Sequence, residues 1–227
     1  MRLTNPAAVI FDCDGVLVDS EILAIEVEIV MLAELGLTYE PAEYRRRFLG
    51  LHDHDFREAL DVDCRAATGR PLPADFLHRT HERRLAACKE RLVEVTGASS
   101  AIAALTKPKA VASSSPTAFL REKLALGGLL EVFDPHVYSA DHVGRGKPHP
   151  DVFLHAARNL SVDPAACVAI EDSVNGVLSA RAAGMEVWGF LGGGHMDEDA
   201  ARRLAEAGAH RMVADWREAR GLFAAFG

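Results

Sequence analysis

The sequence predicts an α/β protein in which a parallel sheet forms the core and an all-helical domain is inserted into it. Three observations point there. Short apolar runs bounded by turn residues alternate with helix-length segments, the pattern of buried parallel strands covered by helices on both faces. Between the first run and the second lies a long stretch with helical spacing and no strand signal. Acidic and hydroxyl residues, together with a lysine, gather just behind the apolar runs.

Taken in order, the first run is Ala7–Phe11, and it leads into Asp12-Cys13-Asp14-Gly15. From 19 to 94 the chain reads as helices. Glu21–Leu35 carries apolar residues at helical spacing and stops at Gly36, and Pro41–Phe48, Phe56–Ala67 and Pro73–Val93 follow, punctuated by Gly50, Gly69, Pro71 and Pro73. A stretch of roughly 75 residues is long enough for a small domain of its own. Behind it come the runs Ala110–Ala112, Val137–Tyr138, Val168–Ile170 and Val187–Phe190, with a weaker one at Met212–Val213. Pro116–Leu126, Pro150–Asn159, Ser173–Ala183 and Asp197–Ala207 are the intervening helices. Val168–Ile170 is too short for periodicity to decide, and its flanking helices make it a strand. The expected division is a discontinuous, Rossmann-like core domain, 1–18 and 95–227, around a helical domain at 19–94.

Composition narrows the function. The 227 residues are 49% hydrophobic and 26% charged, as in a soluble globular protein. A net charge of −8, with no long Lys/Arg run, argues against an extended nucleic-acid or anionic-membrane surface. No apolar run reaches spanning length, and the opening residues show no basic segment followed by an apolar one. Cys13, Cys64, Cys88 and Cys167 are scattered without metal-ligand or CxxC spacing, which reads as reduced thiols. We expect a cytoplasmic monomer with no membrane or nucleic-acid partner.

Ligands of open parallel sheets bind beyond the carboxyl ends of the strands. Those positions hold Asp12, Asp14 and Gly15 after the first run and Ser113, Ser114 and Ser115 after the second. Gly144-Arg145-Gly146-Lys147-Pro148 follows the third, and Glu171, Asp172 and Ser173 follow the fourth. Residues two apart in an extended segment point the same way, so Asp12 and Asp14 are expected to face one site. Four acids with little basic company would repel one another, and a hard dication such as Mg²⁺, which takes oxygen ligands, resolves this. Unpaired N–H groups at the Ser115-Pro116 helix start, the Ser113 hydroxyl and the Lys147 ammonium suit an anion. An anion shared by a metal, a helix start and a lysine is best read as a phosphoryl group.

In order and spacing, "DCDGVLVDSE", "ASSSP", "GKPHPD" and "IEDSVNG" resemble the four motifs of the haloacid dehalogenase superfamily. The helical insert resembles the cap of its β-phosphoglucomutase-like and phosphoglycolate-phosphatase-like branch. The resemblance implies a Mg²⁺-dependent phosphatase of a small phosphorylated metabolite such as a sugar, polyol or sugar-acid phosphate. It implies Asp12 as the nucleophile that becomes an aspartyl-phosphate and Asp14 as acid to the leaving alcohol, then base for water. Ser113, Ser114 and Lys147 would bind the phosphoryl group, Ser113 and Lys147 through their side chains, with Ser114 and Ser115 as caps and backbone donors. Asp12, Asp172 and the backbone carbonyl of Asp14 would ligate the metal, and Glu171 would do so directly or through water. Neighbouring carboxylates would favour the protonated acid at Asp14.

Other residues read less sharply. Arg145 is equally a surface turn residue, and Asn175 reads as a solvated polar residue of a first helical turn. Gly189–His195, "GFLGGGH", lacks the order of a phosphate loop and is taken as a flexible strand-to-helix connection. His52 and His54 with Asp53 and Asp55 read as a polar loop. Arg47, His52, Asp53 and Arg83 are the candidate leaving-group contacts in the insert. Asp14 and the Glu171-Asp172 pair argue against the metal-free dehalogenase branch. Asp14 also argues against the phosphonatase branch, whose cap lysine could match only Lys89. A sugar-phosphate mutase is the main rival, weakened because Ala24 stands where those enzymes carry histidine and Asp53 where they carry arginine. A catalytically silent binding protein of this fold would have lost one of the motif residues, and all are present.

Overall fold

Six strands form one parallel sheet in the order β3-β2-β1-β4-β5-β6: β1 (Ala8–Phe11), β2 (Lys109–Ser113), β3 (Val137–Ser139), β4 (Cys167–Glu171), β5 (Glu186–Phe190) and β6 (Arg211–Val213). The structure, a computed structural model, describes residues 3–48 and 53–226, the side chains of 53 and 54 excepted. Every residue of β1, β4 and β5 is buried, which is why these strands read as unbroken apolar runs.

The strand order is that of a doubly wound sheet. The chain moves outward from β1 through β2 to β3, then returns to the other side of β1 with β4. The carboxyl ends of β1 and β4 therefore flank a topological switch point, where such sheets leave a crevice. β2 and β4 each run one residue further than the sequence predicts, so Ser113 and Glu171 are the last residues of strands. Ser113 is in register with Ser139, and Glu171 with Gly189.

Between β1 and β2 lie α1 (Ser20–Glu34), α2 (Pro41–Phe48), α3 (Asp53–Thr68), α4 (Phe76–Arg91) and α5 (Ala98–Ala104). After β2 come α6 (Thr117–Leu126) and α7 (Leu130–Phe133), then α8 (Asp151–Asn159), α9 (Val174–Ala182), α10 (Ala200–Ala207) and α11 (Trp216–Phe223). Three of these helices, α5, α7 and α11, were not predicted. α5 is a seven-residue Ala/Ser segment with only Ile102 to mark a face, and α7 is a single turn. α11 is announced by Asp215, whose carboxylate accepts from the N–H of Glu218 at 2.8 Å.

The chain divides into two compact units, residues 1–19 with 93–227, and residues 20–92. In the first, small residues on one sheet face (Ala8, Ala110, Ala112, Ala169) pack with Phe153, Ala156 and Val177 of α8 and α9. The other face is aromatic: the Phe11 ring centroid lies 5.6 Å from Phe133 and 6.0 Å from Trp216. The helical unit has its own core, built on Leu32, Tyr44, Phe48, Leu60 and Phe76. No helix among the described residues is long and apolar enough to cross a membrane.

Candidate active site

Asp12 leaves β1 at the crevice, and its N–H still donates to the Ile170 carbonyl of β4 at 2.9 Å. That bond fixes the backbone, so the buried carboxylate is held beside the end of β4. The Lys147 ammonium bonds Asp12 Oδ1, and it bonds Glu171 Oε1 at 2.6 Å. Glu171 is fully buried, and its second oxygen accepts from the Ser173 hydroxyl at 3.1 Å. Gly176 is what admits this carboxylate, since a Cβ there would lie 1.9 Å from the Glu171 carboxyl carbon. Asp12, Glu171 and Asp172 each offer an oxygen, and these atoms all lie within 4.8 Å of one another.

Burial dominates the electrostatics of Asp12 and pushes its pKa up to about 7, against the pull of Lys147 and with Glu171 and Asp14 adding to the rise. Burial also works against the charge on Lys147, yet Asp12 and Glu171 outweigh it and hold this amine above the ordinary lysine range.

Asp14 does not share this cluster. Past Asp12 the chain turns at Gly15, whose φ of +74° is in the left-handed region that glycine tolerates. The Asp14 carboxylate instead bonds the Lys123 ammonium and accepts from the Ser115 hydroxyl at 2.8 Å, while Lys123 also donates to Ser115 at 2.8 Å. Lys123 is 1% exposed and lies 4.6 Å from the centroid of the Phe119 ring. The expectation of acids with little basic company is thereby corrected, because each aspartate of the first motif has its own buried lysine. Lys123 was missed because a lysine inside a helical segment normally lies in solvent. Its signal is positional: Leu120, Lys123 and Leu124 fall on the buried face of α6 at i, i+3 and i+4.

The four carboxylates of the motifs face two buried ammonium groups, a formal excess of two negative charges. An all-oxygen donor set with that excess fits a hard dication such as Mg²⁺. Asp12, Glu171 and Asp172 are the side chains that could hold it.

Residues 6–184 match the family of haloacid dehalogenase-like hydrolases. The chain belongs to that family. The 6-phosphogluconate phosphatase of Escherichia coli K12 is 31% identical to the hydrolase over 188 residues, covering 83% of this chain and 84% of its own. A phosphorylated carbohydrates phosphatase of Thermotoga maritima is 33% identical over 210 residues, 91% of this chain and 93% of its own. A crystal structure of a haloacid dehalogenase-like protein of unknown function from Agrobacterium tumefaciens superposes with a TM-score of 0.89 at 37% identity, over 97% of this chain and 99% of that one.

Elsewhere in the hydrolase the predicted residues are placed as follows. Ser113 is buried, and its hydroxyl accepts from the Ser115 N–H at 3.1 Å, whereas Ser114 is exposed. One N–H at the start of α6 is already used, since Thr117 donates to Asp141 at 2.7 Å. Arg145 is an exposed partner of Asp151 at 3.2 Å. Gly189 and Phe190 belong to β5, so the connection to α10 begins at Leu191; Gly192 and Gly193 pack closely, and the segment carries His195 to Asp172. Sequence reasoning missed His195 because glycine neighbours suggest mobility. In the helical unit Arg47 is paired with Asp63, and Arg83 with Glu34 at 2.6 Å. Arg83 also lines a surface groove of about 320 Å³ with Glu26, Val27, Val30 and Arg91. His52 and the side chain of Asp53 lie outside the described residues.

Proposed function

We propose that this hydrolase is a Mg²⁺-dependent phosphatase of a small phosphorylated carbohydrate, or a related polyol or sugar-acid phosphate, acting through an aspartyl-phosphate. The observation that carries it is a buried carboxylate, Asp12, held by Lys147 at the β1/β4 switch point beside Glu171 and Asp172. The two phosphatase relatives support the substrate class.

An Asp12 oxygen attacks phosphorus and forms a P–O bond as the bond to the leaving alcohol breaks, and Asp14 gives its proton to the departing oxygen. Water then attacks the acyl phosphate while Asp14 takes up a proton, releasing inorganic phosphate and regenerating Asp12. Dividing the displacement makes each step easier. Lys123 and the Ser115 hydroxyl hold the Asp14 carboxylate in place for both proton transfers. Lys147 and Ser113 hold phosphoryl oxygens. A bound Mg²⁺ supplies Lewis-acid charge to the phosphoryl oxygens. A cytoplasmic, monomeric enzyme is part of the same proposal, and its four cysteines are buried outside any disulfide.

The test is a screen of phosphorylated metabolites ranked by kcat/KM, with and without Mg²⁺. Inorganic phosphate is expected one-for-one with substrate consumed, and turnover is expected to vanish in EDTA. Full turnover in excess EDTA would overturn the metal requirement. With β-glucose 1-phosphate, accumulation of glucose 6-phosphate would make the enzyme a mutase. Ala24, buried in α1, has no group with which to transfer a proton for that reaction.

A further inference from the structure

The connection between β5 and α10 reads as a spacer, yet it folds back onto the carboxyl edge of the sheet. The N–H of Gly194 donates to Asp19 Oδ1 at 3.0 Å, and that of Leu191 donates to the Val213 carbonyl at 2.9 Å. Between these anchors and α10, His195 is buried, with its Nε2 3.3 Å from Asp172 Oδ2. Both side chains are 5% exposed.

Two glycines make room for this contact. A Cβ on Gly15 would lie 2.0 Å from Asp172 Oδ2 and 2.4 Å from His195 Cε1. A Cβ on Gly193 would lie 2.5 Å from the Gly15 carbonyl oxygen and 2.8 Å from His195 Cε1. Neither position can carry a side chain without displacing the imidazole or the carboxylate.

We propose that His195 is a positioning residue for the divalent-cation site, fixing the orientation of the Asp172 carboxylate within the group it forms with Asp12 and Glu171. This rests on the metal reading given under Proposed function. A carboxylate turns easily about its last torsion, which has broad minima. A ligand left to turn must be ordered when the cation binds, and a fixed N–H donor does that ordering beforehand. The other two carboxylates already have such a donor in Lys147, and the nitrogen standing in that place for Asp172 is His195 Nε2, 3.3 Å from Oδ2. The imidazole touches no reacting atom, so its effect falls on cation affinity.

The experiment titrates Mn²⁺ into the EDTA-stripped full-length protein, with free Mn²⁺ read by EPR, and repeats the titration with Mg²⁺ by calorimetry. His195→Phe fills the space without a donor, and His195→Gln keeps an N–H donor. We expect the Phe variant to bind Mn²⁺ about 10- to 100-fold more weakly, the usual loss when a partner of a metal ligand is removed. The Gln variant is expected to recover most of that affinity. A wild-type Kd in the Phe variant overturns the proposal, as does equal weakening in both variants, which would reduce His195 to packing. If the wild-type protein takes up neither cation, the metal reading itself fails and this proposal with it.

Discussion

In the unit formed by residues 1–19 and 93–227, Lys147 and Lys123 lie buried against Asp12, Glu171 and Asp14. In the unit formed by residues 20–92, Arg65, Arg83 and Arg91 meet Asp61, Glu34 and Glu26 in the open, with side chains about half exposed. Both patterns are ion pairs, but their energetics differ. An exposed pair contributes little, because water screens it and long side chains lose entropy in making it. A buried pair carries a desolvation penalty of several kcal/mol per ion by order of magnitude, so it is weak evidence for stability and better evidence for chemistry. Inside the helical unit the acid Glu28 is shared: it accepts from the buried Tyr44 hydroxyl at 2.7 Å and pairs at 3.4 Å with Arg84, whose side chain is 40% exposed. Buried lysine–carboxylate pairs are confined, among the described residues, to the sheet edge where the motifs converge.

The strongest way to break this contrast is at Asp12. Asp12→Asn keeps the size and removes the attacking charge, so phosphate release should fall to background while circular dichroism stays native. Retention of a tenth of wild-type turnover would make the nucleophile assignment wrong. The buried charge would then need another explanation.

The second effect follows from the raised pKa of Asp12. Burial lifts it from 3.8 to about 7, so without metal, folding favours the protonated acid. That contribution to stability is complete below pH 3.8 and is lost as pH rises through about 7. A dication takes the place of the proton, and its binding releases that proton. Below pH 7 the apparent Mg²⁺ affinity should therefore drop by about tenfold per pH unit while this proton must be displaced. Thermal scans should show a larger Mg²⁺-induced rise in Tm at pH 8 than at pH 5.5. Equal rises would mean that Asp12 is already ionised at the lower pH.

Lys123 sharpens the comparison, since nothing marked it as functional. Lys123→Met keeps an unbranched apolar stem beside Phe119 and removes the ammonium from Asp14 and Ser115. We expect kcat to fall by about 10- to 100-fold, a share of what a positioned acid–base group contributes. KM should change little. An unchanged kcat would leave Lys123 a buried charge without a catalytic consequence.

What was legible in the sequence follows the same division. The six strands and the four helices of the insert were readable because short apolar runs, helical spacing and Gly/Pro stops are local signals. Asp12, Lys147, Glu171 and Asp172 were readable because each directly follows a run or lies in a spaced motif. Lys123 and His195 were not, since their roles arise from where α6 and the 191–199 connection fold. The facing of Asp12 and Asp14 was expected from strand alternation, but β1 ends at Phe11, so alternation does not govern these two residues and their separate lysine partners could not be read from it. α5 escaped because alanine and serine carry little periodic contrast.

The smallest effect is expected at Arg83, and it tests the other half of the contrast. Its guanidinium pairs with Glu34 at 2.6 Å, and both side chains are more than two-fifths exposed. Glu34 holds the arginine above its usual range, and Arg83 lowers the Glu34 carboxyl. Those shifts record a contact that water and salt screen, so they do not translate into stability. Arg83→Ala should therefore leave the thermal midpoint unchanged within error at 0.15 M salt. It should also leave kcat/KM within about twofold, as expected of a screened surface charge. The informative failure is a KM rise of about tenfold at constant kcat, which signals lost binding that is equal in ground and transition states. That result would make Arg83 a contact for the leaving group and turn the groove it lines into part of substrate selection.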